Sequence, residues 1–139
     1  MYELLYTSLA VKVFSDDELL DLLSASRANN TRREITGMLV HVNGEFVQLL
    51  EGEKSAVQAL FTKIKGDPRH KTVTVFYEGA IRRRAFEQWS MAFKSLPDVA
   101  NAGAIPGLEA FSSTTSPANL IAANPNVGKE LFLGLRKTL

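Results

Sequence analysis

GMLVHVNGEFVQLLEG, residues Gly37 to Gly52, decides the fold. At its centre Asn43-Gly44 is the strongest short hairpin signal, because both residue types tolerate the positive φ of a type I′ turn. Strands are therefore expected on both sides of it. Alternation places Phe46, Gln48 and Leu50 on one face and Glu45, Val47, Leu49 and Glu51 on the other. Gln48 thus stands between two large apolar residues on the face that should be buried. A buried amide without partners costs about 1–3 kcal/mol. Something polar must meet it, and that requirement directs the search for a site.

The flanking segments complete a pattern. Tyr2 to Ser8 is a short strand with Tyr2, Leu4 and Tyr6 on one face. Ser15-Asp16-Asp17-Glu18 is a capping box, and a helix should run from it to Asn29 or Asn30. Glu53 to Lys65 carries Val57, Leu60, Phe61 and Ile64 at helical spacing, closed by Gly66. Asp67-Pro68 breaks the chain. Lys71 to Ala80 is rich in β-branched and aromatic residues and reads as a strand. A basic turn, Ile81 to Arg84, leads to an expected last strand over Trp89 to Lys94. The order predicts an α+β, ferredoxin-like β-α-β-β-α-β-β sheet with both helices on one face. The domain should span residues 1–95. Residues 96–139 form an extension of changed texture, rich in small and polar residues up to Asn126. Short helices are expected there, at 117–123 and 127–139. The second, bearing Leu131, Phe132 and Leu135, should cap the open sheet face where Val47 and Leu49 need cover.

Composition narrows the chemistry. The 139 residues suffice for one domain with a real core. The absence of cysteine removes disulfides, zinc–thiolate centres, cysteine nucleophiles and cysteinyl–flavin adducts. With two histidines, His41 and His70, a histidine-rich metal site is not expected. A net charge of +1 gives no general pull toward nucleic acid. Arg82-Arg83-Arg84 and Arg32-Arg33 read as solvated, although the latter pair could lie near a phosphate. His41 reads as a surface residue. No apolar run reaches the roughly 20 residues of a membrane span, and the N-terminus does not read as a signal peptide, so a cytoplasmic protein is expected.

A second polar intrusion lies on the first helix. Leu19, Leu23, Ser26 and Asn30 form one stripe that should face the sheet, apolar in its first half and polar in its second. In a two-residue hairpin Leu39 pairs with Gln48, and Tyr6 can point to the same face. Each residue alone is more often structural: Gln bonded to backbone, Tyr in a core, Asn as a cap. Three elements converging on one face make a polar pocket with apolar walls, suited to a planar ligand with hydrogen-bonding edges.

These residues resemble a known family. LLYTS (Leu4–Ser8), SRANN with ITGML (Ser26–Asn30, Ile35–Leu39), FVQLLEG (Phe46–Gly52), DPRH (Asp67–His70) and FEQWSM (Phe86–Met91) resemble, in order and spacing, the BLUF domains that sense blue light with flavin. The likeness covers about residues 1–95. It implies a non-covalently bound FAD or FMN. It implies that Tyr6 is the photoactive tyrosine and Gln48 the glutamine between it and the flavin N5/C4=O edge. Asn30 would hold the C4=O and N3 side, with Asn29 beside it. Asp67, Arg69 and His70 would lie near the ribityl and phosphate end. Ser26 would support the site from behind, and Trp89 and Met91 would be a pair on the last strand able to exchange places beside Gln48. The implied mechanism is electron donation by Tyr6 and proton passage through Gln48. Gln48 is left rotated or tautomerised, with a stronger bond to C4=O and a small red shift in absorption.

The resulting expectation is a short blue-light receptor without catalytic output or attached effector. It would signal to a separate downstream protein or through a change of oligomeric state, and a homo-oligomer is expected. Three rivals compete. An acylphosphatase-type enzyme needs an Arg in a phosphate-cradling loop, and Leu9 to Ser15 has none. A flavin oxidoreductase lacks an acid–base pair beside the ring site. A light-insensitive flavin-binding or protein-interaction module would not need Tyr6 and Gln48 together.

Overall fold

A computed structural model of the chain describes residues 1–42, 44–96 and 133. The elements are β1 (Tyr2–Ala10), α1 (Asp16–Arg33), β2 (Thr36–Val42), β3 (Glu45–Gly52), α2 (Lys54–Lys65), β4 (His70–Ala80) and β5 (Ala92–Leu96). They form a mixed sheet in the order β4-β1-β3-β2-β5, with β5 parallel to β2 and the remaining pairs antiparallel. This is the ferredoxin-like arrangement with an added edge strand, as the order of elements predicts. The expected pairing of Leu39 with Gln48 is present, and Tyr6 lies opposite Gln48 on the other side. Gln48 is therefore at the middle of the central strand.

Both helices cover one face. Leu4, Tyr6, Leu39, Phe46 and Leu50 of the sheet pack with Leu19 and Leu23 of α1 and Val57 of α2. Burial of each such side chain stabilises by roughly 1.5–3 kcal/mol. Of the 18 residues of α1 only Leu19, Leu23 and Asn30 are buried, so its ends matter. The Ser15 side chain accepts from Glu18 N, and Glu18 returns a bond to Ser15 N, completing the capping box. Acidic Asp16, Asp17 and Glu18 and basic Arg32 and Arg33 complement the helix dipole. The helix runs three residues beyond the expected end. It closes at Glu34, whose left-handed φ of 55° lets its N–H reach Asn30 O and Thr31 O. Ile35 N also donates to Asn30 O at 2.9 Å, which fixes the turn carrying Asn30.

At Gly37 the sheet requires glycine. A Cβ there would lie 1.9 Å from Leu49 O of the neighbouring strand. The far face, where the sequence expects cover over Val47 and Leu49, is buried. Leu5, Met38, Val40, Val47 and Leu49 are fully buried there, and so is Glu51. The expected helices at 117–123 and 127–139, and the cover they would give this face, lie outside the described residues. Leu133 alone is described, as helical and half-buried.

The last strand begins at Ala92, three residues later than the sequence suggests. Trp89 N bonds to Phe86 O at 3.0 Å in a turn. Trp89 is 38% exposed while Met91 is fully buried, so the two do not share a strand face. His41 is half-buried rather than on the surface. Its ring packs against Phe46 at 5.0 Å, and burial lowers its pKa.

Candidate functional site

A cavity of about 550 Å³ opens between α1, α2 and the sheet. Its walls include Leu22, Leu39, Phe46, Leu60 and Ile64. Polar groups converge from separate elements: Tyr6 from β1, Ser26, Asn29 and Asn30 from α1, and Gln48 from β3. Asp67 and Arg69, in the turn before β4, and His70 at its start line the cavity as well, together with Arg33 and Lys63. The sequence names eight of these polar residues in advance: Tyr6, Ser26, Asn29, Asn30, Gln48, Asp67, Arg69 and His70. Arg33 lines the cavity too, in line with the second of its two sequence readings, and Lys63 is an addition. A cation in the last turn of a helix complements its dipole, so Lys63 does not signal a ligand from sequence. Trp89 and Met91 do not line the cavity, but Met91 touches it through Gln48.

The deepest part is a short hydrogen-bonded chain. Tyr6 Oη donates to Gln48 Oε1, and Gln48 Nε2 donates to Met91 Sδ at 3.3 Å. Tyr6 is 3% and Gln48 6% exposed, so the chain is shielded from water. The thioether sulfur can only accept, so an amide turned the other way would set Oε1 against sulfur lone pairs. Met91 therefore favours the observed orientation. Burial raises the Tyr6 phenol well above its ordinary value, and the charge of Asp67 adds to the effect. Tyr6 is thus a neutral donor at physiological pH. Its ring packs on Phe61 at 5.3 Å and edge-on to His70 at 6.4 Å.

The remaining side chains are held firmly. Asn30 Nδ2 donates to Ser90 O at 2.9 Å. Ser26 Oγ donates to Leu22 O at 2.9 Å, an ordinary helix back-bond. Asn29 Oδ1 accepts from Arg32 at 2.5 Å. Asp67 takes the Arg69 guanidinium through Nε at 2.9 and 3.0 Å and through Nη2. That pairing holds the Asp67 carboxyl below the usual range and raises Arg69. Both His70 nitrogens are taken, Nδ1 by Ser8 Oγ at 2.8 Å and Nε2 by Ile64 O at 2.5 Å. Because a carbonyl only accepts, His70 Nε2 carries a proton. His70 therefore ties α2 to β1 behind Tyr6. Among the described residues no cluster of His, Cys, Asp and Glu could hold a metal ion.

A family model described as "BLUF: Sensors of blue-light using FAD" matches residues 1–92. The chain belongs to the BLUF family. The photoactivated adenylate cyclase subunit beta of Euglena gracilis is 34% identical over 133 residues, covering 87% of this chain and 16% of that protein. The chain thus spans about a sixth of the length of such curated relatives. The dark-state structure of the BLUF protein BlrB superposes with a TM-score of 0.79 at 29% identity, over 99% of this chain and 96% of that one. The photo-activated state of BlsA superposes at 0.74 with 27% identity, over 95% and 94%.

BLUF domains are blue-light sensors using flavin, and the cavity fits that group. Its volume lies within the ordinary range for ligand pockets. Apolar walls suit a planar ring, and Asn30 and Gln48 bring amides to one region as hydrogen-bonding edges require. The cations Arg33, Lys63 and Arg69 suit phosphate, which every flavin nucleotide carries. Among the described residues no helix is long and apolar enough to cross a membrane.

Proposed function

We propose that this chain is a blue-light receptor that holds FAD or FMN non-covalently, with Gln48 as its switch. The observation that carries this reading is the chain from Tyr6 Oη through the Gln48 amide to Met91 Sδ, buried at the edge of a ring-sized cavity. The bound flavin supplies absorption in the blue and an electron acceptor.

The residues then divide the work. Asn30 and Gln48 hold the hydrogen-bonding edge of the ring, with Asn29 beside them. Asp67 and Arg69, joined by Arg33 and Lys63, border the ribityl and phosphate end. His70 belongs to that end as a strut, since both its nitrogens already have protein partners. Tyr6 would give up an electron to the bound flavin and its proton would move through Gln48 along the bond they share, both returning to Tyr6 afterwards. When charge returns, the Gln48 amide is left rotated or tautomerised. An amide can present either donor or acceptor, and in a low-dielectric site the exchange carries its full electrostatic weight. The rotated form gives up the Nε2 bond to Met91 Sδ, so the switch reaches the segment ahead of β5. Ser26 supports α1 behind the site, and Trp89, half-exposed on the same segment, is placed to carry the change outward. The signal goes to a separate protein or into a change of oligomeric state, without catalysis by this domain.

The test is an absorption spectrum before and after blue light, on the wild type and on Gln48→Ala. A flavin spectrum that moves slightly red, recovers in darkness and loses the shift in Gln48→Ala supports the reading. A bound flavin with no shift reduces the protein to a flavin-binding module. Chromatography of the released flavin separates FAD from FMN.

A further inference from the structure

The segment between β4 and β5 is fastened at two places. At the first, Glu51 at the end of β3 turns its carboxylate onto two successive amides. Ala85 N donates to Oε2 at 2.6 Å and Phe86 N to Oε1 at 2.9 Å. Arg84 Nη1 reinforces the fastening through Thr36 Oγ1 at 3.0 Å and Glu51 O at 3.4 Å. At the second, three groups hold successive carbonyls. Gly37 N donates to Trp89 O at 3.2 Å, Asn30 Nδ2 to Ser90 O at 2.9 Å and Arg27 Nε to Met91 O at 2.9 Å. Met91, at the end of this strap, is the residue whose sulfur meets Gln48.

Glu51 is 0% exposed, and burial of a carboxylate costs several kcal/mol unless its oxygens are satisfied. The cavity does not use it, because it lies on the opposite sheet face from Gln48. Its side-chain bonds go instead to the strap and to Thr36 Oγ1, which donates to Oε1 at 3.4 Å. We propose that Glu51 is a positioning residue that sets where Met91 meets Gln48, and thereby how fast the switched amide returns. This rests on Gln48 being the switch. A sulfur acceptor 3.3 Å from Nε2 draws the amide back to its original orientation. Without the anchor at Ala85 and Phe86 the strap is held only by the carbonyl bonds at Trp89, Ser90 and Met91, so that sulfur is less firmly placed and the pull weakens.

Glu51→Gln tests this with nearly the same shape. The amide keeps one acceptor and turns a donor toward a main-chain N–H, so one bond is lost. The variant should bind flavin and show the full red shift. Its dark recovery should be slower by roughly two- to tenfold, the rate equivalent of one hydrogen bond. Hydrogen exchange at residues 85–91 should be faster in darkness. Adding Met91→Ala should then slow recovery no further than Met91→Ala alone, because both changes act through one contact. Unchanged recovery, or independent additive effects, would overturn the proposal while leaving the Gln48 switch intact. A wild type that binds flavin and shows no red shift sinks the switch and this proposal together. If Glu51→Gln does not fold, Arg84→Ala loosens the same fastening and carries the same expectations.

Discussion

Tyr6, Asn30 and Gln48 were legible from sequence because each interrupts an apolar pattern. Gln48 breaks a strand alternation, Asn30 ends an apolar helix stripe, and Tyr6 stands opposite Gln48 on the neighbouring strand. Glu51 was not legible. Alternation put it beside Val47 and Leu49 on the face that needs cover, but no pattern in the sequence marks its carboxylate as bound to two main-chain amides. Lys63 was equally silent, since charge at a helix end is ordinary, and Arg33 carried only a weak hint of a nearby phosphate. The buried phenol makes a prediction of its own. Tyr6 holds its proton above the ordinary value of 10.0, because burial disfavours the charged form. The unfolded chain releases that proton near pH 10 and the folded chain does not. The Tyr6 contribution is therefore complete below about pH 10, and it is lost as pH rises from there toward the folded value. Unfolding free energies from urea titrations between about pH 9 and 11 should fall by up to about 1.4 kcal/mol per pH unit for this group. Tyr6→Phe should flatten that slope, leaving the part due to Tyr77, which burial also raises, and to Tyr2, which its bond to Glu78 raises. An equal slope in the variant would show that Tyr6 titrates like an exposed tyrosine.

The hairpin, the two helices and the four strands that precede β5 could be read directly, because turn chemistry, caps and periodicity agreed. The start of β5 could not. Glu87 to Phe93 has the aromatic and apolar texture of a strand. What overrides it is where the carbonyls go: those of Ser90 and Met91 are taken by Asn30 and Arg27 of α1 before a ladder can form. Gly37 sits where β2 passes closest to β3 and where its N–H fastens Trp89. Gly37→Ala would press a methyl group into Leu49 O. It should lower stability by about 3 kcal/mol or more, read as a reduced urea midpoint. A loss under about 1 kcal/mol would mean that the strands separate easily, and a firmly fixed strap would lose its support.

At the scale of the molecule, the sheet and helices build a cavity whose polar and charged groups come from separate elements, so the ligand itself should brace the fold. Flavin at about 100 times its dissociation constant should raise stability by roughly 2.7 kcal/mol, seen as a melting temperature higher by several degrees. Arg33→Glu should reduce that gain for the phosphate-bearing nucleotide and leave riboflavin, which has no phosphate, unaffected. Equal loss for both ligands would place Arg33 away from the phosphate. In the proposed function, reorientation of one amide links cavity, strap and signal, and it can be tested directly. Infrared light-minus-dark spectra with isotope-labelled glutamine should show a side-chain carbonyl band that shifts on illumination, returns with dark recovery and vanishes in Gln48→Ala. A wild type that shows the red shift in visible absorption with no labelled glutamine band moving would contradict the account.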